Sequence, residues 1–415
     1  MRKKVMEALG GARAYGKVFL KMTALSALMG VACGGLGGVF HHAVEVSGYL
    51  FREHGWLLYL LPLAGMAIVW LYHRAGIFQD KGANLVLASL RTGETVPARV
   101  APLIFAGTVL TQLCGGSAGR EGAALQIGAG TATCFNRVFH LEGKSANRMT
   151  MCGMSALFAA VFGTPITAAL FSVEVSAVGV LHYAALYPCL VSSITAWEVS
   201  RYMGTAGVTM PAIPLPSPDV GTLFRVLALT LACAVVSILF LEVMHLAGRL
   251  YRRFFDGKPY RRAAVGGLLV AAATVLLGTR DYNGAGMEVA VAAVGGQAAS
   301  WAFLLKILLT ALTIGAGYKG GEIVPSFAIG AAFGCAAGPL LGLDPGLAGA
   351  MGLIALFCSV VNCPVSTILL SVELFGGGRL WLFAIVCGVS YLMSGGFSLY
   401  AAQELVFSKL EDGEE

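Results

Sequence analysis

The chain has 415 residues, 57% hydrophobic and 12% charged, with a net charge of +6; the charged share is about half that of an ordinary soluble domain. A globular protein of this length needs a polar shell that so few charges cannot make, which excludes a soluble enzyme, a disordered chain and a nucleic-acid reader. Glycine is the second departure: 55 residues, nearly twice the usual ~7%. High hydropathy with high glycine points to a polytopic membrane protein whose helices pack closely or break within the bilayer.

From the N-terminus, Arg2, Lys3, Lys4, Arg13, Lys17 and Lys21 stand against Glu7 alone. No small-residue cleavage site follows, so residues 1–17 read as a retained cytoplasmic segment rather than a signal peptide. Residues 18–40 and 56–72 are apolar enough, alone or with their flanks, to cross a hydrocarbon core of ~30 Å. Shorter apolar pieces follow at 101–113, 123–135, 155–162 and 166–180, interrupted by Gly, Pro and isolated charges. Residues 226–246 and 263–277 again read as spans, 323–341 and 364–374 as broken pieces, and 380–393 as a last span. Half-length helices are tolerated in a bilayer only where they are buried in protein or line a cavity. The basic stretches 137–148 and 249–262 face the cytoplasm by the positive-inside rule, and 409–415 form a short acidic tail. The ten cysteines and seven histidines show no CxxC pair and no ligand spacing. The cysteines read as small buried hydrophobes, His41-His42 as an interfacial pair near a helix end, and no metal or cofactor is expected.

The chain repeats itself. Ala156-Leu157-Phe158, Pro165 and Leu170-Phe171-Ser172-Val173-Glu174 are matched 199 residues later by Ala355-Leu356-Phe357, Pro364 and Leu370-Ser371-Val372-Glu373. Upstream, Gly119-Arg120-Glu121-Gly122 and Ile127-Gly128 are echoed by Gly321-Glu322 and Ile329-Gly330. Two related halves, 18–205 and 206–408, make one transport unit, and inverted repeats with broken helices put a binding site near the bilayer midplane.

The segment that carries chemistry is Gly115-Gly116-Ser117-Ala118-Gly119-Arg120-Glu121-Gly122-Ala123. Glycines leave backbone N–H groups uncovered, and the apolar helix that follows turns its positive dipole end toward them. Such a site holds an anion without a full positive charge, weakly enough for release. A carboxylate in the same place competes with the anion: ionised, Glu121 occupies the site; protonated, it leaves. The competing reading is a structural Arg120–Glu121 ion pair, but ionisable residues at membrane depth are functional by default.

On these residues the chain resembles the CLC family of chloride channels and anion/proton antiporters, whose G(K/R)EGP signature stands as Gly119-Arg120-Glu121-Gly122-Ala123. Further motifs follow in the family's order: the Pro165/Glu174 segment, Gly321-Glu322-Ile323-Val324-Pro325, and Phe397-Ser398-Leu399-Tyr400. The resemblance implies an all-α CLC fold with two inverted repeats of broken and tilted helices, and a homodimer with one anion pathway per subunit. It implies Glu121 as gating glutamate and Tyr400 as hydroxyl donor to the central anion. Backbone amides at Gly119, Arg120, Gly122, Ile323 and Val324 would bind the anion, with Gly82, Ala83 and Asn84 on the first loop.

Three departures from the family pattern point one way. Residues 80–85 read Asp80-Lys81-Gly82-Ala83-Asn84-Leu85, without the family's anion-coordinating serine, so an Asn84 amide stands in its place. Val175 occupies the position of the usual internal proton-transfer glutamate, Glu174 and Glu373 being read as structural acids. Glu322 stands where chloride-selective members have an apolar residue. All three resemble the fluoride-exporting branch, although Val324 replaces a threonine of that branch and Leu85 and Ala88 stand where it carries phenylalanine. The sequence therefore reads as a proton-coupled exporter of a small monovalent anion, fluoride, in a bacterial-type inner membrane with both termini cytoplasmic and no nucleic-acid partner. Glu322 is its second proton-carrying or gating group, unless it pairs with Lys319. The alternatives are a chloride/proton exchanger or passive chloride channel of the same fold and, from another class, an intramembrane hydrolase, for which no Ser/His or paired-Asp motif is present.

Overall fold

The computed structural model describes residues 2–214, 219–406 and 409, with 2–14 as helical backbone only; residues 410–415 of the acidic tail and the side chains of Arg2, Lys3, Lys4 and Arg13 lie outside the described residues. Sixteen α-helices fall among these residues in two series of eight. The first series is α1 (Arg2–Glu53), α2 (Leu61–Arg74), α3 (Ala83–Thr92), α4 (Val100–Leu113), α5 (Glu121–Val138), α6 (Gly143–Phe162), α7 (Pro165–Glu174) and α8 (Tyr183–Tyr202). The second is α9 (Val220–Phe255), α10 (Pro259–Leu277), α11 (Met287–Val294), α12 (Ala302–Gly315), α13 (Ile323–Ala337), α14 (Pro345–Val361), α15 (Pro364–Phe375) and α16 (Leu380–Met393).

The two series stop and start by the same local chemistry. α6 ends on Gly163 and α14 on Asn362, both left-handed (φ 84° and 55°). Each is followed two residues later by a proline, Pro165 or Pro364, at the first position of the next helix. Glycine and asparagine tolerate that conformation, and proline's fixed φ and missing N–H suit a helix start. Helix packing repeats as well. A methyl group on Gly128 would lie 2.2 Å from the Gly153 carbonyl oxygen, and one on Gly330 would lie 2.2 Å from that of Gly352. These pairs let α5 press on α6 and α13 on α14 backbone to backbone, the approach that drives association where lipid removes the hydrophobic gain.

Between the halves lies a buried aromatic cluster: Phe162 meets Phe327 with centroids 5.5 Å apart, and Phe327 meets Phe357 at 4.9 Å. Among the described residues, five helical stretches are long and apolar enough to cross a membrane: Tyr15–Glu53, Gly55–Arg74, Val220–Phe255, Pro259–Leu277 and Ile323–Leu341. Two sequence expectations change here. Residues 323–341 form such a stretch because a 3-10 turn, Gly338–Leu341, extends α13. α16, even with the 3-10 turn Gly377–Arg379 that leads into it, makes only the shorter apolar helix Gly377–Met393. His41 and His42 do not sit at a helix end either: α1 continues to Glu53, and His41 is buried beside the Val161 carbonyl. All ten cysteines are free, and Cys134 alone is exposed.

Candidate functional site

Two loops meet at the middle of the molecule. Gly119 and Gly321 form an antiparallel bridge, the Gly119 N–H donating to the Gly321 carbonyl (2.6 Å) and the Gly321 N–H to that of Gly119 (2.8 Å). This sets the N-terminus of α5 beside that of α13. Only glycine permits the approach: a methyl on Gly321 would lie 2.5 Å from the Gly122 nitrogen. The N–H groups at the head of a helix have no partner within it, so Gly122 and Ala123 of α5 and Ile323 and Val324 of α13 bring uncommitted donors to one place.

Glu121 is buried with its carboxylate turned back on this helix head. Its Oε2 accepts the Arg120 N–H at 3.0 Å. The Arg120 guanidinium stands off, Nε lying 3.7 Å from Oε1. A carboxylate held by a backbone amide at a helix start occupies the place of an anion. The Arg120–Glu121 ion pair of the competing reading is thus present, but it is the looser of the two contacts.

A cavity of about 830 Å³ reaches this point from the α9–α10 turn, where Arg252, Asp256, Lys258 and Arg262 line it. Deeper in, it is lined by Gly82, Ala83, Asn84, Gly122, Gln126, Lys319, Glu322 and Tyr400. Tyr400 is buried, and its hydroxyl has no hydrogen-bond partner among the described residues. An unpaired buried hydroxyl costs free energy unless something fills its place. Asn84 accepts the Ala402 N–H through Oδ1 at 2.9 Å, which directs its NH₂ group elsewhere. Glu322 stands at the N-cap position of α13, and its side chain makes no capping hydrogen bond there.

Two of the backbone amides read from the sequence as anion donors are spent on the protein itself. The Gly119 N–H is consumed by the bridge to Gly321, and the Gly82 N–H donates to Asp80 Oδ1 at 3.0 Å. The alternative partner for Glu322 is also corrected: Lys319 Nζ binds Asp80 Oδ2 at 2.6 Å, not Glu322.

Sequence reading missed the residues that hold this arrangement. Gln403 donates through Nε2 to the carbonyls of Val175 (3.0 Å) and Val361 (2.8 Å) and accepts the Ser398 hydroxyl, fixing the segment that carries Tyr400. Leu399 N–H adds a bond to the Val360 carbonyl at 2.8 Å, and strand β1 (Ala177–Val178) pairs with β2 (Glu404–Leu405). Lys306 is fully buried, its ammonium donating to Ser117 Oγ (3.0 Å) and to the carbonyls of Tyr282 (3.0 Å) and Gly284 (2.8 Å). One charge inside the apolar stretch 302–315 was the signal available for it.

Convergent helix heads around a carboxylate, with this cavity leading to them in an integral membrane protein, define an anion-conducting or anion-transporting protein. The chain belongs to the voltage-gated chloride channel family, which it matches over residues 64–395. It is 35% identical over 396 residues, 94% of this chain and 87% of the other, to a chloride/fluoride channel protein of Pseudomonas syringae pv. tomato. It is 26% identical over 416 residues to an H(+)/Cl(-) exchange transporter ClcA of Vibrio cholerae, spanning 91% of this chain and 87% of that one. Among solved structures, a CLC-type fluoride/proton antiporter superposes with a TM-score of 0.89 at 33% identity, covering 93% of this chain and 98% of that one. A slow cyanobacterial Cl-/H+ antiporter shares the fold, with a TM-score of 0.77 over 90% of this chain and 94% of the other at 19% identity.

Proposed function

We propose that this protein exchanges fluoride for protons across the membrane. The observation that carries the reading is the Glu121 carboxylate seated on the Arg120 amide. Protonation removes its charge and its claim on that amide, so proton binding and anion entry are tied to one side chain. Glu121 is then both gate and proton acceptor. Glu322, in the wall of the cavity that leads from the α9–α10 turn, is the second proton-carrying or gating group. The amides of Arg120, Gly122, Ile323 and Val324, the Tyr400 hydroxyl and the Asn84 amide, with Ala83 at the head of α3, replace water around the anion. A small, strongly hydrated anion needs such dense donors.

Fluoride is preferred to chloride on two grounds: a carboxylate, not an apolar side chain, at position 322, and the likeness to a fluoride/proton antiporter. The assembly proposed is a homodimer with one pathway per subunit in a bacterial-type inner membrane, halves 18–205 and 206–408, both termini cytoplasmic. The test is purified protein in liposomes loaded with fluoride or chloride. Fluoride efflux accompanied by proton uptake, with chloride carried much more slowly, is expected; proton-independent chloride flux overturns the reading.

A further inference from the structure

The cavity wall contains a buried ion pair that neither the gate nor the anion donors require. Lys319 Nζ lies 2.6 Å from Asp80 Oδ2, with both side chains mostly shielded (15% and 11% exposed). Lys319 belongs to the second-half loop that leads to Glu322; Asp80 belongs to the first-half loop that leads to Asn84. The pair therefore crosses between the two halves at the site.

Each partner is held in place from more than one side. Asp80 divides its carboxylate, Oδ1 taking the Gly82 N–H of its own turn and Oδ2 the lysine. Lys319 runs its stem over Gly107, where a methyl would come within 2.7 Å of Cγ, and sets its ammonium over the Tyr72 ring, 4.3 Å from the centroid. An ammonium on an aromatic face with a carboxylate beside it is well compensated.

Glu322 is only three residues from Lys319, at most about 11 Å of extended chain, and a lysine side chain covers much of that. With no other partner, Lys319 would find the Glu322 carboxylate as a nearby acid on its own loop. We propose that Asp80 is a positioning residue that holds Lys319 away from Glu322 and so keeps the Glu322 carboxylate unpaired in the cavity. The inference rests on the proton-carrying role given to Glu322 above.

The groups facing Glu322 in this cavity define what else acts on it. Tyr400 faces it from the C-terminal segment, and Glu121 stands at the head of α5 across the Gly119–Gly321 bridge. Tyr72, His73, Asp80 and Lys81 come from the α2–α3 side, and Arg252, Asp256, Lys258 and Arg262 from the α9–α10 turn. Of these cations, none shares a loop with Glu322; Lys319 alone does.

The test is the pH profile of fluoride-driven proton uptake in liposomes. In Asp80→Asn the released ammonium pairs with Glu322 and holds it ionised, so proton loading requires more acid. The midpoint is expected to move to lower pH by about one unit, the scale of a nearby opposite charge. Asp80→Asn/Lys319→Gln removes the ammonium as well and is expected to return the midpoint to the wild-type value, which loss of packing alone would not do. Gly107→Ala displaces the lysine stem without touching either charge and is expected to give the same acid shift, so it carries the test if Asp80→Asn fails to fold. An unshifted midpoint in the folded variant overturns the inference, as does a shift that persists in the double variant. A wild type that carries no protons overturns the functional reading and this inference with it.

Discussion

Glu174 and Glu373 cap each other's half of the molecule. Glu174 accepts the Val365 N–H (3.0 Å), the Ser366 N–H (2.8 Å) and the Ser366 hydroxyl at the head of α15. Glu373 accepts the Ile166 N–H (3.0 Å), the Thr167 N–H (2.8 Å) and the Thr167 hydroxyl (2.5 Å) at the head of α7. Each carboxylate closes its own helix and satisfies the orphan amides of the repeat-related one, an interaction favoured by the helix dipole. The reading of both as structural acids follows from this reciprocity.

Glu174→Gln and Glu373→Gln each exchange charge-assisted acceptors for a neutral one, and such bonds are about twice as strong as neutral ones. Each substitution is expected to destabilise by on the order of 1–2 kcal/mol, measured as denaturant or thermal unfolding in detergent. The folded variants keep proton-coupled fluoride transport. Lost coupling with unchanged stability in Glu174→Gln would give that residue a transport role instead.

The glycine pairs make a sharper structural prediction. Gly330→Ala drives a methyl against the Gly352 carbonyl and Gly128→Ala against that of Gly153. Overpacking of this kind costs about 1–3 kcal/mol. Gly377→Ala, with nothing within 4 Å, is expected to melt with the wild type in the same experiment.

Tyr400→Phe separates binding from stability. The hydroxyl has no protein partner among the described residues, so its removal should leave the melting temperature unchanged. A hydrogen bond to an anion is worth about 1.5–3 kcal/mol, so the half-saturating fluoride concentration should rise at least about tenfold. An unchanged value would remove Tyr400 from the anion's donors.

Much of this was legible in the sequence because the chemistry is local. Glycine runs before apolar helices, the repeated Pro-to-Glu spacing and the isolated acids Glu121 and Glu322 mark the helix heads, and the structure brings these heads together at the Gly119–Gly321 bridge. What was not legible depends on residues far apart in the chain. Asp80 and Lys319 meet across the two halves, and Gln403 reaches Val175 and Val361, neither pairing being written into any spacing. The Gly82 and Gly119 amides looked available because a sequence shows a donor and not its acceptor. The spans at 323–341 and 380–393 were exchanged because a 3-10 turn lengthens α13 to Ile323–Leu341, whereas Gly377–Met393 stays shorter even with the 3-10 turn that leads into it.

In the proposed exchange one carboxylate, Glu121, both occupies the anion's place and carries the proton. Its most direct test compares wild type and Glu121→Gln in liposomes under an outward fluoride gradient, with fluoride efflux and proton uptake recorded together. The wild type is expected to take up protons in fixed proportion to fluoride released, whereas Glu121→Gln is expected to take up none while any fluoride flux that remains is passive. Proton uptake that stays proportional to fluoride release in Glu121→Gln would contradict it.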